Sequence, residues 1–457
     1  MYYLTFVKRI EKFLTDKSDW QNIAIGASTQ LFESRGYLFN ENITFLSGEL
    51  NLGAKKTTTV LPTDIIVHLK GAQAIDKTLA YAPYPWEFEA LRVAYAPRFG
   101  RGWVAQSYAY GGLFSIPANV WVGGDVFTWS PGADNYRDIY QFVRANETLL
   151  DNYTSYAKTG LVHAMYSSMK AGFIDGGNQL KSSVKLLTEE NINFDMLVFG
   201  DEGYQVVPRA EDFEKFDQIF FDGDLKYLNE AQQAVLDQYN AVHIGQRGNY
   251  PELAITVTAN DTEANSTVSA VSRIHETNDN APYVLHLVNR PFAGGVTPTL
   301  NNVEVAIPQG YFPKAVTSAK LHLPDGTTET LPISFNASGA KVVTVNNLEV
   351  WGIIELSNIG TAPVPTEPEE PTEPEEPTEP EEPTEPEEPT EPEEPTEPEE
   401  PTDPVDPTDP EEPTDPSTPD SIDLSTAIDG DAFTIEAESF DATGGRVAGV
   451  VVGERGS

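Results

Sequence analysis

Cysteine is absent from all 457 residues. That excludes disulfides, thiolate metal sites and cysteine nucleophiles, although it does not settle the compartment. Basic residues are scarce, 29 Lys and Arg against 71 Asp and Glu, for a formal charge of −42. With no basic surface to neutralise phosphates, nucleic acid is not an expected partner. An acidic chain is equally ill matched to anionic membranes, and no apolar run approaches the about 18 residues of a spanning helix. No G-x-G-x-x-G follows a strand pattern, so a dinucleotide site has no support. There is no G-x-S-x-G elbow and no His/Asp cluster, which leaves an esterase or a metal-dependent lyase without its machinery. The first residues lack the charged start, apolar centre and small-residue cleavage site of a signal peptide.

Five stretches follow one another. Residues 1–156 alternate strand and helix patterns. MYYLTFVKRIEKFLTDKSDW places Phe6, Ile10, Phe13 and Leu14 at helical spacing. Strands are predicted at Asn22–Ala27, Ile43–Leu46, Thr78–Ala82 and Trp103–Tyr110, and helices at Thr63–Ala74, roughly Glu87–Ala96 and Asp134–Tyr153. The last helix presents Ile139, Phe142, Val143, Leu149 and Leu150 on its apolar face. Such alternation implies parallel β/α units, here the C-terminal half of a TIM-type β/α barrel. Half a barrel leaves an open sheet edge, so the other half is expected before Met1 and the chain is expected to be a fragment.

Residues 157–250 read as a second, Rossmann-like α/β domain. Its strands are GLVHAMY, FDMLVFG, FDQIFFD and AVHIG, and its helices Gln179–Asn191 and Asn229–Tyr239. Asp222-Gly223-Asp224 reads as a strand-end turn before it reads as a metal pair. His68 and His163 are expected to be structural. Residues 251–360 hold short alternating runs (AITVTA, YVLHLV, VEVAI, AKLHLP, VVTV) between turn signals, the pattern of an all-β sandwich. His286, within YVLHLV, is expected on the outward face of its strand.

Residues 361–420 hold 25 acids and no Lys or Arg, and include six TEPEEP units over 366–401. Proline at that density favours extended polyproline II and the glutamates repel one another, giving a stiff, disordered spacer. Fully extended, it spans on the order of 150–190 Å at about 3.1 Å per residue. Residues 421–457 lie beyond it.

Chemistry concentrates between residues 78 and 129. Two strand patterns there run into loops that mix carboxylates with aromatic rings: Pro83-Tyr84-Pro85-Trp86-Glu87-Phe88-Glu89, and the stretch holding Trp121, Asp125 and Trp129. Ring faces stack on the C–H faces of sugars, while carboxylates supply acid, base or nucleophile at a glycosidic bond. Taken singly, each tryptophan reads as core and each acid as solvated loop. Four tryptophans with interleaved acids in one such stretch point instead to a sugar site.

FTIEAESF followed by DATGG resembles the opening strand of family 6 carbohydrate-binding modules. The resemblance implies a jelly roll, here truncated at Ser457, with Glu436 and Glu438 as ligands of a structural calcium. The order of the first three domains resembles glycoside hydrolases in which a barrel precedes an amidotransferase-like domain and a β-sandwich, as in the family 42 β-galactosidases. The run from Trp103 to Asn146 looks like the last barrel unit of large bacterial glycosidases. With the acidic linker, these resemblances imply a secreted enzyme acting on a marine galactan, agarase-like. They imply no catalytic cofactor and a homo-oligomer assembled through the amidotransferase-like domain. In barrel glycosidases of the retaining clan the nucleophile ends the seventh strand. That count places Glu87 nearest the role, Glu49 second and Asp125 third. Trp86, Trp121, Trp129, Tyr108 and Glu89 are the expected substrate contacts. A partner acid/base is missing, so the fragment alone is expected to be inactive. The competing reading is a non-catalytic carbohydrate-binding or scaffold protein.

Overall fold

The computed structural model describes residues 26–28, 43, 45–50, 62–83, 98–116, 120–122, 127–129, 133–171, 173–200, 207–246, 254–260, 262–292, 296–357, 437–442 and 445–450. The expected helices at the N-terminus and near 87–96, and the spacer, lie outside them.

The first sheet has four strands: β1 (Gly26–Ser28), β2 (Phe45–Leu50), β3 (Thr78–Pro83) and β4 (Leu113–Phe114). All pair in parallel and in sequence order. Helix α1 (Pro62–Gln73) carries the chain from β2 back to the start of β3. Asp76 takes a left-handed φ of 55° just past it. The Lys77 amide then donates to the Ala72 carbonyl at 3.0 Å, turning the chain into the strand.

One element differs in kind from the sequence expectation. Residues 103–110 do not form a strand: helix α2 (Gly100–Ala109) occupies the region, and the strand β4 follows it. Every residue of α2 except Tyr108 is buried. A helix enclosed on all sides shows no amphipathic period, so a run such as WVAQSYAY cannot be told from a buried strand by pattern. Close approach is required at the turn after it. A Cβ on Gly112 would overlap Leu69 of α1, and Gly111 has φ 79°.

Helix α3 (Ala133–Ala145) buries Tyr136, Ile139 and Phe142. It stops earlier than expected. Asn146 closes it by donating its side-chain amide to the Phe142 carbonyl at 2.9 Å, and a short 3-10 turn, Glu147–Leu149, follows. Asn152 adopts φ 60°. The next residues form strand β7 (Tyr153–Ser155), after a short antiparallel hairpin upstream of α3, β5 (Val120–Val122) with β6 (Phe127–Trp129).

The second parallel sheet contains β8 (Thr159–Ala164), β9 (Phe194–Phe199), β10 (Gln218–Phe221) and β11 (Val242–His243), in the order β11-β10-β8-β9. Helices α4 (Met165–Ala171) and α5 (Phe173–Glu189) join β8 to β9. α6 (Ala210–Glu214) joins β9 to β10, and α7 (Glu230–Gln238) joins β10 to β11. Asn229 caps α7 in a capping box with Gln232.

Two antiparallel sheets complete this part of the chain. One runs β13-β12-β16-β20-β19, from β12 (Thr256–Ala259), β13 (Thr262–Glu263), β16 (Val303–Ile307), β19 (Ser334–Phe335) and β20 (Lys341–Val345). The other runs β18-β17-β21-β15-β14-β7, from β14 (Val268–His275), β15 (Tyr283–Asn289), β17 (Ser318–His322), β18 (Thr328–Leu331), β21 (Trp351–Ser357) and β7. They face each other across one apolar core that includes Val257, Val305 and Val343 from the first and Leu285, Leu321 and Ile354 from the second. The six-stranded sheet is covered on its other side as well. Trp351 meets Phe142 of α3 edge-on at 5.0 Å and stacks on Tyr108 of α2 at 6.3 Å.

His286 is therefore not outward-facing. It is fully buried and accepts at Nδ1 from the Trp351 indole at 3.3 Å. A single apolar cluster joins the three modules, with Leu46 and Ile65, Leu161 and Phe194, and Val271 and Trp351 among its members. Near the C-terminus, β22 (Ala437–Ala442) and β23 (Gly445–Val450) form an antiparallel hairpin.

Candidate functional site

The register of the first sheet aligns the C-terminal ends of its strands. Glu49, next to last in β2, lies beside Ala82 of β3, and Leu50 beside Pro83. The chain leaves β3 at that edge and enters the segment carrying Trp86, Glu87 and Glu89, which lie outside the described residues. β4 ends at the same edge: the Ser115 amide donates to the Tyr81 carbonyl at 2.7 Å.

Beyond β4 the chain is tethered to α3 through one hydroxyl. Tyr140 donates to the Phe114 carbonyl at 2.9 Å and accepts from the Ile116 amide at 3.0 Å. Burial drives this phenol well above its ordinary range, so it stays protonated. The hairpin that follows pairs Trp121 with Thr128 and Val120 with Trp129. Asp125 lies outside the described residues. Of the expected sugar contacts, Tyr108 is half-buried on α2, packed on Trp351. Of the expected calcium ligands, Glu438 stands on β22 opposite Gly449, and Glu436 lies outside the described residues. No group of three or more His, Asp or Glu side chains fit for a metal occurs among the described residues.

At the opposite end of the same strands lies a cavity of about 480 Å³. It is lined by the last turn of α1 and the residues leading into β3, by β7, by β9 and by residues 207–215. On its wall, Lys70 of α1 donates to Asp195 of β9 at 2.9 Å and to Ser155 of β7 at 2.8 Å. Lys215 reaches the other carboxylate oxygen of Asp195 at 3.1 Å. Burial pushes the Asp195 carboxyl up, but Lys70 and Lys215 together outweigh it and hold its pKa at about 2. Burial lowers the Lys70 ammonium, with Asp195 opposing that shift. Lys70 also lies 5.7 Å from the ring centroids of both Tyr110 and Phe194.

A second buried polar pair closes the C-terminal end of the second sheet. His163 ends β8 one residue short of Ala164, and its Nδ1 is 3.1 and 3.2 Å from the two carboxylate oxygens of Asp222, just past β10. Beside it, Ser167 accepts from the Asp224 amide at 2.9 Å, and Asp224 accepts from the Lys226 amide at 3.0 Å. Asp222 and Asp224 are thus engaged separately, within a turn.

Lys70 and Asp195 were missed by the sequence reading, yet each leaves a signal. Lys70 stands in IIVHLKGA, a helix with no polar face to carry it, and Asp195 in FDMLVF, a strand otherwise apolar. A lone charge in a run that has no solvent side demands a buried partner.

No protein-family model matches the chain. The alpha-L-fucosidase isoenzyme 2 from Paenibacillus thiaminolyticus aligns at 12% identity and TM-score 0.40, over 69% of this chain and 65% of that one. A rhamnosidase from Novosphingobium sp. PP1Y aligns at 12% identity and TM-score 0.43, over 72% and 38%. At those scores the alignments do not amount to a shared fold. In sequence, the chain is 74% identical over 339 residues to the alpha-agarase of Alteromonas agarilytica, covering 74% of this chain and 24% of that protein. It is 75% identical over 339 residues to the alpha-agarase of Thalassotalea agarivorans, covering 74% and 23%. Across most of its length, then, this chain is similar to one segment of the alpha-agarases, and it spans about a quarter of theirs.

Proposed function

We propose that the chain is part of a polysaccharide-degrading glycoside hydrolase of the agarase type. The observation that carries this is the 74–75% identity to two alpha-agarases over 339 residues. The first sheet fits the reading: strands that are sequential neighbours, parallel, and linked by helices are what an arc of a β/α barrel requires. In such a barrel the reactive groups stand where the strands end. Glu87 is the first choice as nucleophile, Glu49 the second and Asp125 the third, with Trp86, Trp121 and Trp129 as stacking platforms for galactan rings. A retaining pair of carboxyls sits about 5–5.5 Å apart, so one carboxylate alone cannot run the double displacement and a partner acid/base is required. The hairpin at 437–450 belongs, on this reading, to the start of a family 6-like module that holds the secreted enzyme on its polymer.

The test uses a protein of the agarases' full length that carries this sequence. Glu87→Gln should lower hydrolysis of agarose by about 10³-fold or more, as expected for loss of a group that acts in the transition state. Activity within tenfold of the unmodified protein removes Glu87 from the role, and the same assay on Glu49→Gln and Asp125→Asn then decides between the remaining two. An unmodified full-length protein that binds agarose without cleaving it would favour the scaffold reading.

A further inference from the structure

The cavity at the amino-terminal end of the first sheet is remote from the proposed chemistry. Asp76 lines it just before β3 begins, whereas Glu49 and Pro83 stand at the far end of the paired strands. Six residues of strand separate the two ends, roughly 17–20 Å at the rise of an extended chain. Its volume, about 480 Å³, falls in the range of small-molecule sites.

Its chemistry narrows the ligand. Among the described residues, three carboxylates line it, Asp76, Asp195 and Asp212, against three cations, Lys70, Arg209 and Lys215. Several are already paired with one another: Lys70 and Lys215 with Asp195, and Arg209 with Asp212. An anion entering would meet as many like charges as opposite ones, and so would a cation. A neutral ligand bearing many hydroxyls meets no such penalty. Each ionised oxygen still accepts through a free lone pair and each ammonium or guanidinium still donates, and charge-assisted bonds to hydroxyls are the stronger kind. Ile75, Val207 and Pro208 add a small apolar patch suited to C–H faces. Mutual pairing holds the donors and acceptors in place before a ligand arrives, which lowers the ordering cost of binding.

We propose that this cavity is a non-catalytic site for a short neutral oligosaccharide, and that its occupant is a product released from the galactan. The second half of the statement rests on the hydrolase reading above. Because α1, β7 and β9 come from three different modules and all line the cavity, an occupant bridges them and tightens the joint. Among the described residues no aromatic ring lines the cavity, so they offer no stacking contribution and binding falls in the weak range.

The experiment titrates the chain with agarotetraose, followed by ligand-observed saturation-transfer NMR and by calorimetry, with maltotetraose and sodium sulfate as comparators. Agarotetraose should bind and raise the thermal midpoint. Lys215→Ala, which removes a half-exposed donor, and Val207→Trp, which fills the space, should each weaken it by about tenfold or more while circular dichroism is unchanged. The proposal falls if agarotetraose does not bind, if both variants bind it as well as the unmodified chain, or if sulfate binds in its place. Cleavage of agarose by the full-length protein is scored separately. Cleavage without tetraose binding here overturns the cavity site alone, and absence of cleavage overturns the reading of function.

Discussion

Lys70 of helix α1 and Asp195 of strand β9 meet 2.9 Å apart, although 125 positions separate them in the chain. The bond fastens the first α/β unit to the second. Asp195 also acts on Arg273, a buried guanidinium whose pKa is lowered to about 10 by burial, with Asp195 and then Glu276 pulling the other way.

The two partners should not be equivalent on mutation. Asp195→Asn leaves Lys70 and Arg273 buried without their shared counter-charge, and should cost about 3–5 kcal/mol, the range for breaking a buried pair from one side. Lys70→Met leaves Asp195 with Lys215, and should cost nearer about 2 kcal/mol. Urea unfolding of both single variants and the double variant measures the coupling. Equal costs for the two singles would contradict this asymmetry.

The same carboxylate predicts an acid limit. Its folded pKa, about 2, lies below the ordinary value of 3.8. A group depressed in this way contributes stability that is fully present above about pH 4 and is lost as pH falls through about 2. At 1.36 kcal/mol per pH unit the contribution is about 2 kcal/mol. The stability gap between the unmodified chain and Asp195→Asn should therefore narrow between pH 4 and pH 2, as read from urea midpoints. A gap constant over that window would show that the carboxyl is not the cause.

Tyr140→Phe should loosen the route from β4 to the tryptophan hairpin. It removes the acceptor of the Ile116 amide and the donor to the Phe114 carbonyl at once. Global stability should fall by about 1–2 kcal/mol, and the Ile116 amide should exchange with solvent at least about tenfold faster. Unchanged exchange at Ile116 would mean that the hydroxyl does not hold the segment.

Gly112→Ala tests the closest approach in the first module. A methyl group there overlaps the Leu69 side chain and meets the Leu79 carbonyl at 3.4 Å. Overpacking of this kind costs typically about 1–3 kcal/mol, and thermal unfolding should show it. Leu69→Ala in the same background should recover part of the loss.

If the hairpin tryptophans are sugar platforms, Trp121→Ala and Trp129→Ala in the full-length protein should raise KM for agarose by about tenfold while kcat changes little, the signature of lost uniform binding. A fall in kcat with KM unchanged would assign them another role.

Much of the fold was legible from pattern. Strands with one solvated face alternate cleanly, so VEVAI and AKLHLP stand out, and helix α3 carries a one-sided apolar stripe. Legibility failed at two enclosed elements. Helix α2 has no wet side and read as a strand. β15 is buried at six successive positions because α2 and α3 cover the sheet face that a free sandwich would expose, and His286 went with it. Glu49 at the end of β2 followed from strand and turn signals. The Lys70–Asp195 pair did not, because nothing in a one-dimensional pattern states which distant charge a buried one will meet.

Strand β7 carries a consequence for how the molecule is made. Tyr153 and Arg273, joined through the edge of the six-stranded sheet, lie 120 positions apart, and the whole second parallel sheet is synthesised between them. A ribosome releasing the chain delivers β7 long before its partner β14. That edge must wait, uncovered, until the intervening module has collapsed and shortened the loop to be closed. Removal of residues 157–250 would splice two segments of one sheet together, whereas a cut just after Ser155 would strip the sandwich of a strand.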